Sequence, residues 1–224
     1  MGEPMVRCAE ITRRYTDGAQ SITALEQFSY DFVAGEMVAV TGPSGSGKST
    51  LLALLAAIDY ADAGEIHVGD VELGDLSTVE QAQFRADTIS YLYPEYNLLP
   101  MLSIYENISL ALSLKSISEA ELDARIRGSL DRLGIADVAH RRPARLSSGQ
   151  RARAGIARAV ASGNPLLIAD EPTAHLDAAN AGVVAEILAE LARADGQLVV
   201  IATHDPAVAA HAGRTIRLRT SGEG

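Results

Sequence analysis

Tryptophan is absent from the 224-residue chain, cysteine occurs once, and lysine stands only at Lys48 and Lys115. A single cysteine cannot build a disulfide framework, so the fold must rest on its apolar core, as expected in a reducing compartment. Cys8 alternates with Val6 and Glu10 in an extended pattern, which reads as an ordinary strand residue rather than a reactive thiol. Acidic residues outnumber basic ones 29 to 19, for a net charge of −10 and a pI near 4.9. Nucleic-acid surfaces need clustered Lys and Arg, so nucleic acid is not an expected partner. The one basic cluster, His140 to Arg145 with Arg151 and Arg153 beyond it, is interrupted by Pro143 and reads as a docking or solvated face. No apolar run approaches the ~20 residues that cross a bilayer, and the N-terminus has no secretory pattern. The chain is therefore expected to be soluble by itself, with any membrane role coming through a partner.

The chain does have a glycine-rich stretch, Gly42-Pro43-Ser44-Gly45-Ser46-Gly47-Lys48-Ser49-Thr50, between the apolar run Met37–Thr41 and the leucine-rich segment from Leu51 to Ile58. It fits the phosphate-loop pattern G-x-x-x-x-G-K-[ST] with a strand before it and a helix after it. Glycines there can turn successive N–H groups toward a phosphate chain, and the opening helix adds the positive end of its dipole. Lys48 is expected to reach the β- and γ-phosphates, and the Ser49 hydroxyl to ligate Mg²⁺.

Around this stretch the signals alternate. Residues 5–15 and 22–32 read as an edge hairpin, and 65–73, turning at Gly69-Asp70, as short strands that extend it. Tyr15 closes the first segment, where its ring could stack on a base or simply be a half-buried strand aromatic. Ser77-x-x-Glu80 is a capping box opening a helix to about Ala86, Ile89–Leu92 a core strand, and Tyr93–Pro100 a loop. From Ser103 to about Asp137 the pattern is helical, with a second capping box at Ser118-x-x-Glu121. Ser147-Ser148-Gly149-Gln150 forms a third, ahead of a helix through Ala161, and its free N–H groups also make an anion site. Leu166–Glu171 is an apolar strand ending in two carboxylates, where Asp170 is expected in the metal sphere and Glu171 as general base toward a water. Asp177 can cap a helix over 178–193, and Leu198–Ala202 is a further buried strand that delivers His204 to the same crevice. Arg214–Arg219 reads as a closing strand.

The set and order of these motifs resemble the nucleotide-binding subunits of ABC transporters, over nearly the whole chain and closest to their lipoprotein-releasing, MacB-type and FtsE-like branch. The resemblance implies an α/β P-loop NTPase (RecA-like) core, an antiparallel β subdomain, and an α-helical subdomain at about 96–160 carrying the signature, in one domain over 1–224. It makes Tyr15 the adenine-stacking aromatic, Ser147–Gln150 the signature, Ala174–Asp177 the D-loop and His204 the switch histidine. It further implies a head-to-tail dimer with a second ABC ATPase subunit, ATP and Mg²⁺ at the interface, Lys48, Glu171 and His204 in catalysis, Ser49 and Asp170 on the metal, and an integral membrane permease as partner. Two positions depart from the pattern: Ser148 replaces a glycine, and Pro94 replaces the glutamine that would approach Mg²⁺ and water. Glu95 beside it is either a substitute carboxylate for the Mg²⁺ shell or an exposed loop residue. The other readings are a degenerate subunit that binds ATP, hydrolyses it weakly and serves as regulatory partner in a heterodimer, a soluble ABC protein acting on nucleic acid or ribosomes, and a P-loop enzyme outside the ABC class such as a small-molecule kinase.

Overall fold

The computed structural model describes residues 3–18 and 20–219. In chain order its strands are β1 (Val6–Asp17), β2 (Gln20–Phe32), β3 (Met37–Thr41), β4 (Ala63–Val68), β5 (Val71–Glu72), β6 (Ile89–Leu92), β7 (Leu166–Asp170), β8 (Leu198–Ala202) and β9 (Arg214–Arg217). Its helices are α1 (Lys48–Leu55), α2 (Thr78–Thr88), α3 (Ile104–Leu112), α4 (Glu119–Arg132), α5 (Ser148–Ser162), α6 (Ala178–Asp195) and the single turn α7 (Pro206–Ala209). Two sheets result: an antiparallel one of order β2-β1-β4-β5, and a second of order β6-β7-β8-β3-β9 whose pairings are all parallel.

The central strands carry unbroken apolar runs, as expected of a parallel sheet covered on both faces. Their alternation divides the core. Val38 and Val40, Leu166 and Ile168, and Leu198 and Val200 face α1 and the antiparallel sheet. Met37 and Ala39, Leu167 and Ala169, and Val199 and Ile201 face the cluster built by α3 to α6. Leu51, Leu52, Leu54 and Leu55 of α1 are fully buried, each contributing about 1.5–3 kcal/mol. This packing fixes the helix behind the glycine loop. Because β7, β8 and β3 are neighbours and parallel, their C-terminal ends meet at one crevice, the position where open α/β sheets bind ligands.

The expected helical stretch from Ser103 is interrupted at 113–118, giving α3 and α4, followed by a 3-10 turn at Ala136–Val138. The capping box at Ser118 is only half formed. Ser118 Oγ accepts the Glu121 N–H at 3.2 Å, whereas the Glu121 carboxylate is drawn to Arg125 at 2.7 Å. An opposite charge one turn along outcompetes the neutral N–H of Ser118. The boxes at Ser77, Ser103 and Ser147 are complete. In the basic cluster, Arg151 and Arg153 donate to the Leu146 and Leu133 carbonyls, and so brace the helical layer. Cys8 is buried, and burial pushes its thiol up to about 12, in line with an inert strand residue. The expected closing strand stops at Arg217, and the tail beyond residue 219 lies outside the described residues.

Candidate functional site

A cleft of about 600 Å³ opens at the crevice, lined by Tyr15, Ala24, the glycine loop, Lys48–Thr50, Asp170, Glu171 and His204, while Ser46 of the loop is buried and lies outside the lining. Its volume is that of a small-molecule or cofactor site. The loop's shape depends on glycine at two places. Gly47 caps α1 at φ 88°, where a Cβ would run into the Ala24 carbonyl oxygen. Gly42 has φ 152°, and a Cβ there would lie 2.7 Å from the Leu218 carbonyl oxygen. Neither position admits a side chain, so the loop backbone itself lines the cleft. The Lys48 ammonium lies over this loop, donating to the Gly42 and Pro43 carbonyls at 2.9 and 3.0 Å.

At the end of β7, half-buried Asp170 receives the Ser49 hydroxyl. Burial raises its pKa; the Ser49 bond and Lys48 oppose that rise, and the neighbouring Glu171 charge adds to it. A carboxylate held partly desolvated beside a hydroxyl and an acid supplies hard oxygen donors, the set that suits Mg²⁺. Glu171 has φ 46°, in the left-handed region, and its N–H bonds the Ala202 carbonyl at 3.0 Å. That strained turn redirects the Glu171 side chain from that of Asp170. Its carboxylate meets His204 Nδ1 at 2.9 Å, so with Glu171 ionised the imidazole donates through Nδ1–H. The histidine side chain is 71% exposed and the glutamate 22% exposed, and the 2.9 Å contact holds the two together.

Ser147–Gln150 and Asp177 are absent from the lining of this cleft. Ser147 and Gln150 satisfy one another reciprocally at 3.1 and 3.2 Å. Asp177 caps α6 through the Asn180 N–H at 2.9 Å and receives the Asn180 side-chain amide at 2.7 Å. Those hydrogen bonds hold the Asp177 carboxyl below its ordinary value. Buried Gly149 packs on the same Asn180 amide, so the Ser147–Gln150 helix end and Asp177 form one connected patch. Asn180 escaped the sequence reading, although its place three residues after a capping aspartate is a local signal. Pro94 and Glu95 line a different hollow with Ser148, Arg151 and His175, so Glu95 stands apart from the Ser49–Asp170 oxygens as an exposed loop acid.

The family model described as ABC transporter matches residues 25–174. The macrolide export ATP-binding/permease protein MacB 2 of Aeromonas hydrophila is 39% identical over 98% of this chain and 34% of its own length. MacB of Burkholderia thailandensis is 39% identical over 97% of the chain and 33% of its length. The chain thus spans about a third of these curated relatives. Among solved structures, the dimeric post-hydrolysis state of the ATP-binding cassette MJ0796 bound to ADP and Pi superposes with a TM-score of 0.88 at 34% identity, covering 97% of each chain. CbiO1 of Clostridium perfringens, part of the transporter complex CbiONQ, also gives 0.88, at 27% identity over 98% of this chain and 87% of its own.

Proposed function

This chain belongs to the ABC transporter family, and from that premise we propose that it is the ATP-hydrolysing cassette of an export-type membrane complex. The observation that carries the proposal is the meeting of Lys48, Ser49, Asp170, Glu171 and His204 around one cleft at three adjacent strand ends. The loop amides and Lys48 hold the triphosphate, and Tyr15 supports the base. The Ser49 and Asp170 oxygens would hold Mg²⁺, which would supply charge neutralisation for the phosphates. Glu171 accepts the proton of the attacking water as the bond to the leaving phosphate oxygen breaks. His204 donates to that carboxylate and orients it.

Ser147–Gln150 and Asp177 of the same chain lie outside this cleft, so a second copy, arranged head to tail, supplies them to the triphosphate. Ser148 adds a hydroxymethyl group to that contact. The membrane partner is a permease. It docks on a cleft of about 610 Å³ lined by Leu99, Leu110 and Leu114. These leucines are exposed at 46%, 50% and 69%, a clustering of large apolar groups that marks an interaction site. Among the described residues no helix is long and apolar enough to cross a membrane.

Calorimetry of Lys48→Ala with Mg-ATP tests the reading. The variant is expected to lose about tenfold or more in affinity and nearly all turnover; unchanged affinity and turnover would overturn it.

A further inference from the structure

Arg13 is an arginine buried to 8% exposure, two residues before Tyr15 on β1 and so on the same face of the strand. Its guanidinium carbon sits 4.6 Å from the centre of the Tyr15 ring and 4.2 Å from that of Tyr60, so the planar cation is layered between two phenols. Its edges are equally committed. Nε and Nη2 donate to the two Asp59 oxygens at 3.0 and 2.8 Å, and Nη1 donates to Asp62 at 3.1 Å. Asp59 also accepts the Tyr15 hydroxyl at 2.7 Å. The Tyr15 ring is thus fixed at its tip by Asp59 and across one face by Arg13. Tyr15 lines the phosphate-loop cleft, and Arg13, Asp59 and Tyr60 do not.

We infer that Arg13, clamped by Asp59 between Tyr60 and Tyr15, is a positioning residue for nucleotide-base recognition: it sets the Tyr15 ring in its stacking pose before the nucleotide arrives. The inference rests on the reading that Tyr15 stacks on the base, and deepens it. A lysine could not replace it, because only a guanidinium offers both a flat face for the rings and a bidentate edge for Asp59. Asp59 and Asp62 lie just beyond α1, the helix the glycine loop opens, so the clamp joins the base-binding strand to the phosphate-binding helix. Ordering the ring in advance removes the immobilisation cost of one side chain from binding, an effect of about two- to tenfold in affinity.

The test compares Mg-ATP with Mg-tripolyphosphate, which shares the phosphate loop and has no base, on the full chain. Arg13→Met and Arg13→Lys are expected to raise the dissociation constant and KM for ATP about two- to tenfold, with tripolyphosphate affinity and kcat unchanged. The tripolyphosphate measurement also reports whether each variant still folds around α1. Equal weakening of both ligands, or no change for ATP, would overturn the inference by making Arg13 a merely structural residue. Tyr15→Ala separates the two levels. If it lowers the preference for ATP over tripolyphosphate while the Arg13 variants do not, base stacking stands and the role of Arg13 falls; if it leaves that preference unchanged, the stacking reading falls and takes the clamp with it.

Discussion

The phosphate-loop cleft and the signature patch both lie at helix N-termini, yet they are built by opposite means. In the cleft the chain departs from ordinary geometry. Gly42, Gly45, Gly47 and Glu171 all have positive φ, and backbone amides, an ammonium and two carboxylates are aimed into one space. In the patch the capping geometry is ordinary and the capping side chains pair within the chain: Ser147 with Gln150, and Asp177 with Asn180. A strained, converging site is prepared for a ligand of its own. A patch capped in the ordinary way offers a rigid helix end to something outside the chain, which is how half of a composite site is expected to look.

The largest expected effect breaks the cleft. Glu171→Gln keeps the side chain's size and removes its basicity, so turnover should fall by about 10²–10⁴ while ATP affinity holds. The unhydrolysed complex should then accumulate as a dimer, seen as a doubling of mass by light scattering on addition of ATP. Wild-type turnover, or a mass indifferent to ATP, would remove Glu171 from the role of base.

The next effect strikes the patch. A Cβ at Gly149 would collide with the Asn180 amide, which in turn receives its hold from Asp177. Gly149→Ala should leave ATP binding to the isolated chain unchanged and reduce turnover by about tenfold or more, since misplacement of a positioning group by an ångström is costly. Mixing it with Lys48→Ala should restore turnover that neither variant has alone, because a head-to-tail pair then contains one cleft and one patch both intact. Failure to complement would place the two elements in the same functional unit of a single chain.

A smaller effect separates stability from chemistry. Asn107 of α3 is buried and spans the preceding loop, accepting the Leu99 N–H at 2.6 Å and donating to the Leu99, Leu102 and Ser103 carbonyls at 2.8–3.2 Å. Asn107→Ala removes these bonds and leaves backbone groups unpaired, for a loss of about 2 kcal/mol in urea unfolding. It should barely alter ATP affinity, because the cleft draws on the other face of the parallel sheet.

What could be read from the sequence follows from the distance over which each signal acts. The glycine loop, the strands ending at Asp170 and Ala202, and the boxes at Ser77 and Ser147 are local patterns, and all of them form; the box at Ser103 is equally local and went unread. Ser118 misled because a charged competitor, Arg125, stands one turn further on. The Arg13 clamp was not legible at all, since it joins residues 46 and 49 positions apart and gives a buried cation that composition alone would assign to the surface. Tyr15 was found as an aromatic, and its support was not. The left-handed turn at Glu171 is likewise invisible in the letters, because a glutamate carries no propensity for positive φ.

Pro94 gives the smallest and most discriminating effect, because its loop runs between the two regions. The loop is held from behind: the Tyr96 hydroxyl donates to the Pro172 carbonyl at 2.6 Å, and Arg158 donates to the Tyr96 and Asn97 carbonyls at 2.6 and 3.0 Å. Tyr96 and Asn97 are fixed in the left-handed region at φ 59° and 45°, and a Cβ on Gly155 would lie 2.8 Å from the Tyr96 side chain, so α5 presses directly on the turn. Pro94 fixes φ near −65° and biases Tyr93 toward extended backbone, which stiffens the front of the same loop. If the proposed partner docks here, a loop stiffened at both ends would pass its movement on to Ser148 and Pro172 rather than absorb it. It also has no amide at position 94 to offer the nucleotide. The isolated chain should therefore hydrolyse ATP slowly and be strongly stimulated in its membrane complex, with Glu171 and His204 carrying the chemistry. Pro94→Gln should raise the unstimulated rate a few-fold, about 1 kcal/mol or less in barrier, and weaken the stimulation, while Glu95→Ala, outside the cleft, should leave the unstimulated rate alone. Steady-state ATPase rates of the three chains, alone and reconstituted, decide it. Equal rates with and without the membrane subunit, untouched by either substitution, would make the loop a passive connection between cleft and patch.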